Sequence, residues 1–137
     1  MTDHGKQPYV LNIEETTETN TFFRDTLWTG EHLQLTVMSI PVGGDIGLEV
    51  HGENDQFLRV EGGRGKCEMG PAEDDLSQSW EVEDGDAILV PAGVWHNVTN
   101  IGDEPLQIYA LYGPSDHLPG TRHETQEDAE NDPHEHH

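Results

Sequence analysis

Basic side chains are almost missing from this chain. Two lysines (Lys6, Lys66) and four arginines (Arg24, Arg59, Arg64, Arg122) stand against 28 acidic residues, and the formal net charge is −22. Without a basic footprint, nucleic acid and anionic membrane surfaces are excluded as expected partners. Cysteine is reduced to Cys67, so no intramolecular disulfide can form, which fits a reducing compartment. No apolar run approaches the ~20 residues of a membrane helix. The opening MTDHGKQPYV has no apolar signal-peptide region, and the expected location is the cytoplasm. A sustained 3.6-residue apolar period is also lacking, which excludes long amphipathic helices.

The acids are spread through the whole chain rather than confined to its ends. Such a charge repels itself at ordinary salt and destabilises the compact state. In molar salt the screening length falls to about 3 Å and most of the repulsion vanishes. A carboxylate-rich, lysine-poor surface therefore reads as adaptation to a salt-filled, halophilic cytoplasm.

At 137 residues the chain suits one domain with one core. Residues 1–20 form a polar arm in which IEETTETN reads as a loop or weak edge strand. From residue 21 to 118, short apolar or alternating runs follow one another: TFFRDTLW, HLQLTVMSIP, GLEVH, QFLRVEG, GKCEM, WEVE, DAILVP, WHNVTN and LQIYALY. Gly, Pro, Asn and Asp separate them, a spacing that predicts an all-β sandwich or barrel with little helix. Residues 119–137 carry almost no apolar side chain, so this acidic tail is expected to be disordered, with His134, His136 and His137 solvated in it.

Two stretches carry candidate chemistry. In the first, residues 43–63, Glu49 and His51 are two apart and share a face if the segment is extended, and Gln56 follows the turn-like GEND to open the next strand. In the second, Gly85 begins a strand, Pro91-Ala92-Gly93 makes a tight turn, and His96 opens the returning strand. Together they resemble the two motifs of the cupin superfamily. The first motif reads Gly43, five residues, Glu49-Val50-His51, four residues, Gln56, six residues, Gly63. The second reads Gly85, Pro91, Gly93, His96 and Asn100 with every spacing kept, and the resemblance covers about residues 33–112.

The resemblance implies an RmlC-like jelly-roll β-barrel holding one divalent transition metal: Fe, Mn, Ni, Co or Zn. Carried onto this chain, the metal-ligating set is Glu49, His51, Gln56 and His96. The chain departs from the family pattern where Glu49 replaces a histidine and Gln56 replaces the glutamate. The formal ligand charge stays at −1, and Glu49, His51 and His96 still make a two-histidine, one-carboxylate set. Two alternatives stand beside this. Asp55 also falls within the permitted spacing, although the face shared with Leu58 and Val60 favours Gln56. The substitutions also fit a cupin that has lost its metal, with Gln56 a hydrogen-bonding pocket residue.

Trp95, Tyr109, Tyr112 and Cys67 read as packing residues. The segment LYGPSDHLPGTRHET, residues 111–125, is similar to the ends of small cupins grouped as mannose-6-phosphate-isomerase-like. Its His117 and His123 either fold back over the barrel mouth or belong to a plain terminal strap. The group name does not carry an activity, because a phosphate needs a cation and Arg59 alternates with the inward Leu58 and Val60. The expected function is a metalloenzyme acting on a small hydroxylated or carbonyl substrate, of isomerase, lyase or dioxygenase type. The alternative is a module that binds a small molecule or metal without turnover. Resemblance also implies a homodimer, with residues 20–28 as the pairing strand.

The salt reading makes a direct prediction. The thermal unfolding midpoint rises as KCl is raised from about 0.1 M to about 1 M; a flat or falling midpoint would remove the adaptation from the account.

Overall fold

The structure, a computed structural model, describes residues 3–135. It opens with helix α1 (Ile13–Thr19), then strands β1 (Arg24–Thr29), β2 (Gln34–Ile40), β3 (Asp55–Gly62), β4 (Arg64–Gly70), β5 (Gln78–Glu83), β6 (Ala87–Val90), β7 (Trp95–Asn100) and β8 (Leu106–Gly113). Strand β9 (Arg122–His123), helix α2 (Gln126–Glu130) and a 3-10 turn at Pro133–Glu135 complete the chain. The predicted runs become strands with one exception. GLEVH makes no continuous strand and touches the sheet only through isolated bridges, Asp45 to Thr99 and Glu49 to His96.

The strands form two antiparallel sheets, ordered β6-β3-β8-β2-β1-β9 and β5-β4-β7. Alternation decides which face is buried. On β3, Gln56, Leu58 and Val60 turn inward while Arg59 lies outward beside Glu61. Leu58, Val60, Ile108 and Ala110 meet Met38, Ile40, Cys67, Met69 and Val98 in one core between the sheets. Among the described residues no helix is long and apolar enough to cross a membrane.

Both polar ends depart from the sequence expectation. IEETTETN is helical because Asn12 caps it, its Oδ1 accepting the Glu15 N–H at 3.0 Å, and Glu14 and Glu15 sit at the favourable end of the helix dipole. The hydroxyls of Thr16, Thr17 and Thr19 donate back to carbonyls four residues earlier, which satisfies them within the helix. Gln107 then ties α1 to β8, its Nε2 donating to the Thr17 and Asn20 carbonyls at 2.7 and 2.9 Å.

The tail expected to be disordered is built into the fold from residue 119 to 135; His136 and His137 lie outside the described residues. It has few apolar side chains, Ala129 among them, but its polar groups find partners. Arg122 donates through both Nε and an NH2 nitrogen to Asp25 at 3.1 Å, and the β9 backbone pairs with β1. Thr125 and Asp128 form a capping box on α2. His134 is exposed, as expected. Of residues 20–28, expected as the pairing strand, those from Arg24 onward belong to β1, which lies between β2 and β9 of its own sheet.

Two positions of the motifs are explained by turns rather than chemistry. Gly63 has φ of +86°, and a Cβ there would meet the Pro105 carbonyl oxygen at 2.7 Å. Asn100 donates to the Ile40 and Glu104 carbonyls at 3.0 and 2.8 Å, and its Oδ1 accepts the Gly102 N–H at 2.9 Å. Asn100→Ala strands those groups and is expected to lower the unfolding free energy by about 1–3 kcal/mol, read from urea denaturation. A loss within error would show that the turn closes without the amide.

Candidate metal centre

Glu49 reaches the site from an irregular segment that two hydrogen bonds clamp to β7. The Glu49 N–H donates to the His96 carbonyl at 3.0 Å, and the His96 N–H donates to the Glu49 carbonyl at 2.9 Å. This reciprocal pairing sets the two side chains beside each other. The His51 carbonyl accepts the Gly93 N–H at 2.7 Å, which ties the third residue to the turn that precedes His96. Gln56 arrives from β3, where it pairs with Val90 on one side and Tyr112 on the other.

The donor atoms converge. Glu49, His51 and His96 each offer one ligand atom, all within 4.8 Å of one another. Glu49 Oε1 lies 3.3 Å from His51 Nε2 and 3.5 Å from His96 Nε2. Gln56 Oε1 is 3.0 Å from His96 Nε2. Asp55 turns the other way: it is exposed, and its Oδ1 accepts the Ala92 N–H at 3.0 Å.

The far nitrogens of both imidazoles are also engaged. His51 Nδ1 lies 3.0 Å from Asp116 Oδ1, and His96 Nδ1 lies 3.1 Å from the Val94 carbonyl oxygen. An acceptor at Nδ1 favours the tautomer with its proton there and leaves Nε2 with a lone pair. Once the rings are neutral, these Nε2 lone pairs are available to an ion, with Glu49 Oε1 within 3.5 Å of both nitrogens and Gln56 Oε1 3.0 Å from His96 Nε2. Two imidazole nitrogens, a carboxylate and a neutral amide oxygen fit a divalent transition ion.

Burial and charge pull against each other here. Burial raises the Glu49 pKa, but contacts with His51 and His96 outweigh it and hold the carboxyl ionised, well below its usual range. For His51, burial disfavours the cation, yet Asp116 and Glu49 push its pKa up to about 10. Burial pushes the Tyr112 phenol above its ordinary range and the Cys67 thiol up to about 11, so neither is an activated nucleophile. Tyr112 packs edge-on to His51, with ring centroids 5.8 Å apart.

Glu49 faces a cavity of about 470 Å³, lined also by Arg24, Trp95, Gln126, Ala129 and Glu135. The C-terminal segment therefore folds back over the site. His117 and His123 are both buried, but in a layer outside the donor set: His117 Nδ1 lies 2.8 Å from Glu135 Oε2, and His123 Nε2 lies 3.0 Å from Asp132 Oδ2.

Sequence spacing missed three residues of this neighbourhood. Asp116, Arg24 and Glu135 lie on a loop, on β1 and on the terminal turn, and only the return of the tail across β1 assembles them. No local pattern marks them, and Arg24 supplies the cation that the metal-bearing strands lack.

Comparison with known proteins agrees with this architecture. The family described as "Cupin domain" matches residues 36–112. The uncharacterized protein YrkC of Bacillus subtilis is 51% identical over 129 residues, spanning 94% of this chain and 69% of that protein. The uncharacterized protein L612 of Acanthamoeba polyphaga mimivirus is 36% identical over 121 residues, 88% of this chain and 74% of its own. The crystal structure of BH2720 from Bacillus halodurans superposes with a TM-score of 0.93 at 56% identity, covering 95% of this chain and 98% of that one. The chain belongs to the cupin family.

Proposed function

We propose that the protein is a metal-dependent enzyme acting on a small hydroxylated or carbonyl compound. The observation that carries this reading is the convergence of Glu49 Oε1, His51 Nε2 and His96 Nε2, with Gln56 Oε1 beside His96 Nε2, behind a cavity of about 470 Å³ that Glu49 lines. A divalent transition ion held there would polarise a hydroxyl or carbonyl oxygen of the substrate.

The chain's own residues define the rest of the chemistry. Glu49 is ionised and partly open to the cavity, which suits it to hold the ion. Gln56 contributes an oxygen without charge, so the set carries a single negative charge. Asp116 fixes the His51 ring. Trp95, Phe23 and Ile46 supply apolar wall that excludes water around the reacting group.

A binding module without turnover is the second reading. It is favoured by the ordered tail across the cavity, which restricts exchange of a ligand. Turnover of small hydroxy- and oxo-compounds with Fe(II), Mn(II) or Zn(II), lost in the chelated protein, supports the enzyme. Binding of such compounds with no product under any of these metals supports the module.

Metal content gives the first check. Purified protein is expected to hold one equivalent of a divalent metal, and Glu49→Ala and His96→Ala to fall below about a tenth of an equivalent, whereas Asp55→Ala stays at the wild-type level. Unchanged metal in both ligand variants would place the ion elsewhere. Asp116→Asn is expected to weaken metal affinity by about 10–100-fold without abolishing it.

Proton release gives the second. His51 is protonated in the metal-free protein at neutral pH, because its pKa is pushed up to about 10. Ligation requires the neutral ring, so Zn(II) binding at pH 7.5 releases about one proton, and affinity rises with pH towards that value. Calorimetry in buffers of different ionisation enthalpy reads the proton count. A count near zero would mean that His51 is neutral before the metal arrives.

A further inference from the structure

The cavity beside the donor set contains a buried cation whose partner is supplied by the chain's own tail. Arg24 is 4% exposed and lines the cavity together with Glu49. A guanidinium stays charged at any accessible pH, so its burial demands an anion. That anion is Glu135, whose side chain is 7% exposed and whose Oε1 accepts from one terminal nitrogen of Arg24 at 3.2 Å. The same nitrogen lies 3.4 Å from His123 Nδ1. The Arg24 Nε–H is buried and makes no hydrogen bond among the described residues. The fork that usually takes a carboxylate through two parallel bonds is therefore engaged through a single nitrogen.

Glu135 belongs to the short terminal turn Pro133–Glu135, which puts no apolar side chain into the core. The turn follows the five-residue α2, whose Gln126 and Ala129 form part of the cavity wall. Both carboxylate oxygens of Glu135 also approach His117 Nδ1, at 2.6 and 2.8 Å. A carboxylate thus sits in a ligand-sized cavity, on a tether, against an incompletely satisfied arginine.

We propose that Arg24 is the recognition residue for the carboxylate of a small acid, and that Glu135 is a tethered stand-in which this carboxylate displaces. This deepens the reading of the cavity as the ligand site: the substrate class becomes a small hydroxy- or oxo-monocarboxylic acid, its carboxylate at Arg24 and its oxygen function directed to the Glu49 side. Exchange of one carboxylate for another leaves the charge around Arg24 unchanged. A phosphate would carry extra negative charge into a space already lined by Glu49, Glu73 and Glu130, where Arg24 is the one cationic side chain among the described lining residues. The assignment therefore favours a monocarboxylate over a phosphate ester.

The test uses full-length protein stripped of metal with chelator, so that its outcome is independent of the metal reading. Propionate and propionamide are titrated at constant ionic strength, with thermal midpoint as the binding readout and hydrogen exchange of residues 124–135 as the tail readout. Wild type is expected to prefer propionate and to show faster exchange in the tail when propionate binds. Glu135→Ala, which vacates the guanidinium, is expected to bind propionate about tenfold more tightly than wild type. Arg24→Lys and Arg24→Gln are expected to lose the preference for propionate over propionamide. Inorganic phosphate is expected to bind more weakly than propionate. Equal binding of acid and amide to Glu135→Ala overturns the proposal. So does tighter binding of phosphate. Propionate that stabilises only Glu135→Ala and leaves the wild-type tail unmoved would make Arg24 and Glu135 a structural latch, which also overturns it.

Discussion

The two hydrogen bonds between the backbones of Glu49 and His96 hold the site together. The segment that carries Glu49 and His51 is not a strand and has no ladder to fix its direction. Pairing with His96 at this one point sets the carboxylate beside an imidazole that β7 holds rigidly. Gly93, bonded to the His51 carbonyl, fixes the segment a second time two residues on. An irregular stretch anchored at two points presents Glu49 and His51 to one spot, although it lacks the regular pleat that would otherwise do so.

Charge is the second constraint. A chain with a net charge of −22 has few cations to distribute, and it uses two of its four arginines to dock its tail. Arg122 takes Asp25 through two nitrogens, and Arg24 takes Glu135 inside the cavity. The first pair is half-exposed and contributes modestly. The second is buried, and breaking it leaves an uncompensated charge, so the tail and the cavity are energetically linked. The tail is ordered by paired polar groups where apolar burial is scarce.

The jelly roll was legible because alternating runs broken by turn residues are local signals. Eight of the predicted runs correspond to β1 through β8. Gln56 against Asp55 was also legible, since Leu58 and Val60 fix the parity of β3. GLEVH was misread as a strand because composition is silent on whether a ladder partner exists along its length. IEETTETN was misread because threonine favours strands in general, while here the Asn12 cap and the acidic first turn favour the helix. The tail was misread because its order rests on contacts with residues about a hundred positions earlier, His123 with Arg24 and Arg122 with Asp25. Asp116, Arg24 and Glu135 escaped for the same reason: long-range geometry assembles them, and spacing does not record it.

The central claim is that Glu49, His51, Gln56 and His96 form one metal centre. The most direct measurement is anomalous scattering from crystals of the protein loaded with Zn(II) or Co(II). The account predicts a single strong peak bonded to His51 Nε2, His96 Nε2, Glu49 Oε1 and Gln56 Oε1 at about 2.0–2.3 Å. A peak held by other residues, or an ion bonded to the two histidines with Glu49 turned away, would contradict it.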